Sequence, residues 1–249
     1  MTVSGGTVLS RGNDPTRIHS GGVVSAASFL PAPAPLVPGS LVSVFGDHLA
    51  ALVRASDSFP LPSSLEEGAA FFFDDIPAPI LYSSPSQMNL QVPFELEGRS
   101  RTTFRIVRNG RTTLSSELPL AQAGPAVFST SGSGTGQGAV LHSDSGILSD
   151  ANHPASRREI LSIYATGLGP VQPSVPSGTS SPASATVSLP EVTIGGVSAR
   201  VLYSGLAPGY AGLYQINVEV PEAAPSGTAV PLGIRIDGLA SAATTVAIQ

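Results

Sequence analysis

Hydrophobic and polar residues alternate with a period of two over several short stretches of the chain. The clearest is QINVEV at residues 215–220, where every second residue is isoleucine or valine. Such alternation predicts a β-strand with one buried face and one solvated face. Upstream, Gly195-Gly196 separates the alternating runs VTI and VSARV, which predicts a β-hairpin. The 27 glycines and 23 prolines suit many short strands joined by tight turns, so we expect little helix.

Much of this pattern occurs twice along the chain. The matching segments are LVSVF (41–45) with ILSIY (160–164), ILYS (80–83) with VLYS (201–204), and QMNLQVP (87–93) with QINVEVP (215–221). The hairpin dipeptide Asn109-Gly110 falls on Asp237-Gly238 when the last pair is aligned. Because strands and turns coincide together, we predict a tandem duplication of one β unit of about 100 residues, the size of an immunoglobulin-like sandwich.

The predicted fold is therefore all-β, with two tandem immunoglobulin-like antiparallel β-sandwiches. We place the first sandwich at residues 23–124 and the second at residues 125–249. Residues 1–22 are polar and rich in glycine, serine and threonine, and they are predicted to form a flexible leader or linker. With 41% hydrophobic residues the chain can fill two such cores. The residues expected in these cores include Val44, Ile163, Leu202 and Val218.

Residue types that the chain lacks exclude several chemistries. All 12 basic residues are arginine, and the sequence contains no lysine, cysteine or tryptophan. Schiff-base catalysis, phosphate-loop lysines, thiol nucleophiles, disulfides and zinc–thiolate sites are therefore excluded. A net charge of −5 argues against nucleic-acid binding. No apolar window reaches about 18 residues and no charged and apolar leader opens the chain, so neither a membrane span nor a signal peptide is predicted.

Each copy has a strand followed by Gly-x-x-Leu, then a hairpin, an alternating strand ending in Val-Pro, and a glycine-closed hairpin. Further motifs are AASF (26–29), PGSLVSVFG (38–46), PAVF (125–128), GQGAV (136–140) and YATGLGP (164–170). The order of elements resembles the IPT/TIG class of immunoglobulin-like domains. Over roughly residues 23–249 the chain resembles, more specifically, the uncharacterised C-terminal domain of secreted acidobacterial (Solibacter-type) proteins. This resemblance implies export and a non-catalytic terminal module, and it carries no assigned site residues.

The polar loops contain no pattern that predicts catalysis or metal binding. The chain has no Gly-x-Ser-x-Gly elbow, so no catalytic residue is predicted among the serines or the four histidines, His19, His48, His142 and His153. His142 and His153 share a loop with two aspartates, but their spacing fits neither a helical histidine pair nor a calcium loop, so no metal is predicted. Glycine-rich residues 132–138 are expected to be an inter-domain linker, and residues 51–68 a polar loop. No cofactor is predicted.

The second copy contains an insertion, GLAPGYAG at residues 205–212, between two strands that the first copy joins through residues 84–86. An extra loop on a shared scaffold is where specificity is added. Its residues could fold back to seal the interface between the sandwiches, or project as an apolar and aromatic patch for a partner or a glycan. We favour the interface, because one proline and three glycines make a tight, self-closing loop. The candidate interaction residues are Leu206, Pro208, Tyr210 and Tyr214.

Three functions are compatible with this sequence. The leading hypothesis is a non-enzymatic extracellular structural, spacer or adhesion module whose partner is an unknown protein or glycan at the cell exterior. A carbohydrate-binding module is the alternative, and a hydrolase ranks third. Since the fold supports all three, only a site can decide between them. The extracellular or cell-surface location is implied by the resemblance alone.

Overall fold

The computed structural model describes residues 16–31, 33–66 and 68–249. Strands dominate these ranges, and nearly all of them pair antiparallel. The helical segment in the described part of the chain is a single 3-10 turn, Phe94–Leu96. A helix long and apolar enough to cross a membrane does not occur within those ranges. The predicted fold class, all-β with two tandem antiparallel β-sandwiches, is confirmed.

The first sandwich packs two sheets against each other. Its strands are β1 (Arg17–Ser25), β2 (Leu41–Asp47), β3 (Arg54–Ala55), β4 (Ala69–Phe73), β5 (Ile76–Pro77), β6 (Ile80–Ser83), β7 (Gln87–Gln91), β8 (Arg101–Arg108) and β9 (Arg111–Pro119). One sheet has the order β1-β2-β7-β6-β3 and the other β5-β4-β8-β9. Alternate residues of both sheets fill the space between them. The largest buried side chains are Leu49, Phe71, Phe73, Ile80, Met88, Leu90, Leu96, Phe104 and Ile106.

The second sandwich has a core of its own. Its strands are β10 (Ala126–Val127), β11 (Gly136–Gln137), β12 (Val140–His142), β13 (Ile160–Thr166), β14 (Val171–Gln172), β15 (Ala185–Thr186), β16 (Glu191–Ile194), β17 (Val197–Leu206), β18 (Tyr214–Glu219), β19 (Gly227–Ile236), β20 (Leu239–Ala240) and β21 (Thr244–Ile248). The main order is β10-β13-β18-β17-β16-β19-β21-β11. Its buried residues include Leu161, Ile163, Ile194, Leu206, Tyr214, Ile216 and Val218.

One long strand, β17, joins the two sheets of the second sandwich. Its first residues pair with β16 and its later residues pair with β18. In the first sandwich the corresponding segment is split into β5 and β6, which lie in different sheets. Pro77 and Pro79 stand there at the positions of Ser198 and Arg200. Because proline cannot donate a backbone hydrogen bond, two prolines in three residues interrupt the strand that the second copy keeps continuous.

The duplication extends to polar side chains on the outer face of each sandwich. Ser43 Oγ donates a hydrogen bond to Asn89 Oδ1 at 3.0 Å, and Ser162 Oγ donates to Asn217 Oδ1 at 3.1 Å. In both copies a glutamine two residues before the asparagine donates to the same oxygen at 2.8 Å. Equivalent strands therefore carry equivalent side-chain contacts.

The predicted hairpin turns have the backbone that their residues favour. Asn109-Gly110, Gly195-Gly196 and Asp237-Gly238 have φ values of 51° and 75°, 62° and 80°, and 47° and 80°. Two successive positive φ values define the turn whose twist matches antiparallel strands, and asparagine, aspartate and glycine tolerate them best. All three hairpins are confirmed.

The first strand begins inside the segment assigned to the leader. Arg17 lies opposite Asp47 in the pairing of β1 with β2, and the register shifts between Ile18 and Val23. Gly21, at φ 67°, lies in that irregularity, which breaks the alternation that would have indicated a strand. Residues 17–22 thus belong to β1, in which Arg17 and Ile18 pair with β2 ahead of the irregularity. Residues 1–15 of the leader lie outside the described residues, and the boundaries at residues 23 and 125 stay a prediction.

Leu202 is not a core residue. Its side chain is 42% exposed, whereas Val44, Ile163 and Val218 are fully buried as predicted. The pairing of β17 with β18 shifts between Val201 and Tyr203, so one extra residue interrupts the alternation and turns Leu202 outward. The first copy has the same irregularity two residues after Pro79. The prediction for Leu202 was wrong because strict alternation was assumed through a bulge.

Truncating Val218 tests this assignment of faces. Val218→Ala removes buried methyl groups and should lower the free energy of unfolding by about 1–3 kcal/mol. Leu202→Ala, on the solvated side of the neighbouring strand, should change it by less than about 0.5 kcal/mol. Urea denaturation followed by far-UV circular dichroism measures both. Equal costs for the two variants would contradict the facing of β17 and β18.

Candidate functional site

The insertion in the second copy lengthens a hairpin. Leu206 pairs with Tyr214 at its base, and both side chains are fully buried in the second core. The tip closes on itself, since the Ala207 N–H donates to the Leu213 carbonyl at 2.9 Å. Tyr210 lies at the tip and is 56% exposed. The extra residues therefore extend two strands and present a short exposed turn.

The four candidate residues of this loop separate into two pairs. Leu206 and Tyr214 lie in the core of the second sandwich, while Pro208 and Tyr210 are exposed. The expectation that Leu206 and Tyr210 seal the interface was therefore incorrect. The reason is the strand extension, which carries Leu206 inward with its own sheet and leaves Tyr210 at the turn.

Tyr214 lies close to the first sandwich although its ring belongs to the second core. Its hydroxyl donates to the Gly169 carbonyl at 2.5 Å, so the buried oxygen has a partner. Burial, and secondly the Glu97 carboxylate of the first sandwich, raise the pKa of Tyr214. This tyrosine is a neutral hydrogen-bond donor in the folded protein.

Gly212 is the loop residue that touches the first sandwich. A Cβ placed on Gly212 would lie 2.7 Å from Leu41 Cδ2 and 3.0 Å from the Gly39 carbonyl oxygen. Its φ of 66° is also in the left-handed region. Close approach and backbone conformation therefore both require glycine at this position.

A buried hydroxyl connects the same three segments. The Leu41 N–H, at the start of β2, donates to Thr166 Oγ1 at 2.9 Å. Thr166 Oγ1 donates in turn to the Gly212 carbonyl at 3.2 Å. Thr166 ends β13 and is almost completely buried. One side chain of the second sandwich thus satisfies a backbone donor of the first and a carbonyl of the insertion.

Gln91 makes the reciprocal contact from the first sandwich. Its Nε2 donates to the Gly39 carbonyl at 3.3 Å, and its Oε1 accepts from the Gly178 N–H at 2.7 Å. The Gly178 carbonyl accepts from the Leu61 N–H at 2.7 Å. Gln91 is buried, so these contacts are shielded from water. We call Gln91, Thr166, Gly178 and Gly212 the interdomain bridge.

Further contacts between the two sandwiches lie beside the interdomain bridge. Phe94, which begins the 3-10 turn, packs against the second core, and its N–H donates to Ser177 Oγ at 2.8 Å. Ser177 Oγ donates to the Glu95 carboxylate at 2.6 Å. No sequence pattern indicates these partners, because Gln91 and Thr166 occupy ordinary strand positions and their contacts join residues far apart in the chain. Of the four bridge residues, Gly212 alone belongs to the insertion at residues 205–212.

His142 and His153 make contacts within their own loop. His142 Nδ1 pairs with the Glu159 carboxylate, and His142 Nε2 lies 3.0 Å from the His153 carbonyl oxygen. Burial lowers the pKa of His142, but its hydrogen bonds to Glu159 and to the His153 carbonyl outweigh this effect, and the pKa is raised. His153 pairs with Asp150 at 3.4 Å. Across the described ranges, no group of three or more acidic or histidine side chains is arranged to hold a metal.

No protein-family model matches the chain, and no curated protein matches it. Among solved structures, it is similar to a surface glycan-binding protein from Prevotella bryantii, with 12% identity and a TM-score of 0.28. That match covers 95% of this chain and 42% of the glycan-binding protein, so the chain spans less than half of it.

Two further matches are to tandem domains. The I9–I11 tandem of titin has 8% identity and a TM-score of 0.24, covering 86% of this chain and 61% of the titin chain. Domains 5–6 of the S-layer protein SbsC have 14% identity and a TM-score of 0.24, covering 94% and 98%. At these TM-scores the likeness assigns no function to this chain.

The His142 pair predicts a pH dependence. Because the folded state raises the pKa of His142 above 6.5, its stabilisation is fully present below about pH 6.5 and is lost as the pH rises through the folded pKa. Glu159→Gln removes the carboxylate, so it should lower the pKa of His142 and flatten this part of the stability profile. NMR titration of the imidazole together with urea denaturation at several pH values measures both effects. An unchanged imidazole pKa in Glu159→Gln would contradict the assignment.

Proposed function

We propose that this chain is a non-catalytic extracellular spacer in which two immunoglobulin-like, IPT/TIG-like sandwiches are held in a fixed relative orientation. The observation that carries the proposal is the interdomain bridge. It joins β2 and β7 of the first sandwich to β13 and two loops of the second. The assignment of the sandwiches to residues 23–124 and 125–249 belongs to this proposal.

The geometry of the hydrogen bonds in the bridge, more than their strength, makes it suitable for fixing the orientation of the two sandwiches. A buried hydrogen bond contributes about 0.5–1.5 kcal/mol net, so these few contacts add only modestly to the free energy of association of the two sandwiches. Each contact, however, requires a defined distance and angle. The Leu41 and Gly178 amides point in opposite senses across the boundary, the first into the second sandwich and the second into the first. Satisfying both at once leaves little freedom for rotation between the sandwiches.

The bridge uses residues that a flexible linker would not need. Thr166 and Gln91 are buried polar side chains, which are stable in a protein interior only when their hydrogen-bonding groups have partners. Gly178 would place a Cβ 3.0 Å from Pro79, and Gly212 would place one against Leu41. The two glycines permit the backbones to approach closely enough for Gln91 to bond to the Gly178 N–H and for Thr166 to bond to the Gly212 carbonyl. A spacer that transmits position or force along a surface protein benefits from such a joint.

Carbohydrate binding at the insertion is the second candidate. The observation in its favour is Tyr210, whose ring is 56% exposed at the tip of a turn absent from the first copy. An exposed aromatic ring offers an apolar face to a sugar. A glycan array probed with the wild type and Tyr210→Ser would favour this function if the substitution abolished a signal. A hydrolase ranks third.

A double substitution tests the spacer. Gln91→Leu with Thr166→Val keeps the side-chain size and removes the polar atoms of the bridge. We expect the two sandwiches to unfold in two distinct thermal transitions. We also expect the radius of gyration to increase in small-angle X-ray scattering. Each lost contact should cost about 1 kcal/mol, which weakens the boundary and leaves each core folded.

A matched control makes the same chemical changes within the second sandwich. Within the described ranges, the Gln215 and Thr186 side chains donate hydrogen bonds to residues of that sandwich, including Asn217 and Ser204. Gln215→Leu with Thr186→Val should therefore leave the radius of gyration as in the wild type. If the bridge variant also kept the wild-type radius and a single unfolding transition, the rigid-spacer proposal would be rejected.

A further inference from the structure

An open cleft of about 350 Å³ lies on the first sandwich. Its lining prolines, Pro60 and Pro62, flank Leu61, whose N–H donates to the bridge residue Gly178. Clefts of this volume fall at the lower end of the range that holds small organic ligands. The walls come from the segment around β3 and from residues 62–66, and β6 provides the floor. The residues that the argument uses are Arg54, Ser56, Asp57, Ser64, Glu66 and Ile80.

Specific contacts hold the two walls in place. Arg54 on β3 donates to both carboxylate oxygens of Glu66 on the opposite wall, at 2.6 and 2.8 Å. Ser56 Oγ donates to the Ile80 carbonyl at 2.8 Å, which fastens the first wall to the floor. β3 itself pairs with β6 over two residues. The cleft is therefore shaped by an ion pair across it and a hydrogen bond beneath it.

Several polar groups that line the cleft are exposed and have no hydrogen-bond partner within the described protein. Within the ranges that the structure describes, the Asp57 carboxylate has no hydrogen bond or ion pair, and the hydroxyls of Ser58 and Ser64 have none either. The lining also includes apolar surface from Pro60, Pro62 and Ile80. Hydrogen-bonding groups thus lie beside rigid apolar groups within one small volume.

The charges of the cleft restrict the ligand class. Glu66 neutralises the Arg54 guanidinium through a two-pronged contact, so the arginine is not free to bind an anion. One remaining carboxylate is too few to hold a metal ion, for which several oxygen ligands are needed. A molecule with several hydroxyl donors and apolar C–H faces, and without net charge, matches what remains.

We infer that this cleft binds a neutral saccharide. Sugar hydroxyls donate to the Asp57 carboxylate and exchange hydrogen bonds with Ser58 and Ser64, while a face of the sugar ring lies on the proline rings. This site goes beyond the spacer function and is independent of the bridge, because none of its lining residues belongs to the bridge. It is also distinct from Tyr210, on the other sandwich.

An NMR titration tests the site. Cellobiose, maltose, mannobiose and xylobiose are each added to ¹⁵N-labelled protein, with glucosamine as a cationic probe. At least one neutral disaccharide should shift the amide signals of Ser56, Asp57 and Ser64 in a saturable manner. Asp57→Asn should weaken that binding about tenfold or more, because a hydrogen bond to a charged acceptor is lost.

Asp144→Asn is the matched control, since Asp144 is an exposed aspartate in a turn of the second sandwich. It should leave the affinity unchanged, and the amide spectra of both variants show whether they are folded. Three results would each overturn the inference: no saturable shift at the cleft with any neutral disaccharide, shifts confined to the tip around Tyr210, or binding of glucosamine alone. The radius of gyration of the bridge variant has no bearing on this outcome.

Discussion

The Thr166 hydroxyl is the contact on which the arrangement of the two sandwiches depends. A strand such as β2 begins with a backbone N–H that needs a partner, and at Leu41 that partner is a side chain of the other sandwich. The same hydroxyl donates to Gly212, so the insertion has to approach closely and only glycine fits. In the reciprocal contact, Gln91 of the first sandwich accepts a hydrogen bond from the Gly178 N–H of the second. Residues with no distinctive sequence pattern, such as Thr166 and Gln91, therefore connect the two sandwiches by hydrogen bonds.

The two copies show where a duplicated unit can change without losing its core. Both keep the outer Ser-Asn-Gln contacts and the bulge in the strand that follows the first hairpin. They differ where prolines split β5 from β6, and where the second copy extends its hairpin. The first change places β5 and β6 in different sheets, and the second provides the glycine that approaches Leu41. Divergence has thus produced surface features, while the packed faces stayed alike.

Local patterns predicted the fold well because they reflect local physics. The alternation of β18 and the dipeptides at Asn109 and Asp237 fix strand faces and turn geometry within a few residues. Leu202 was misplaced because a bulge is a property of pairing, which the order of residues in one strand does not show. Gln91 and Thr166 were missed for a similar reason, since their partners lie far away in the chain. The cleft, in a segment predicted only to be a polar loop, depends on the Arg54–Glu66 contact across it.

Hydrogen–deuterium exchange of two backbone amides tests the bridge most directly. Leu41 and Gly178 each donate their N–H to a side chain of the other sandwich, so their exchange reports the boundary itself. If the bridge persists in solution, both amides should be protected to a degree comparable with amides of the central strands. Exchange of both amides as fast as that of exposed turns, while the strand amides stay protected, would show that the sandwiches move independently and would contradict the account.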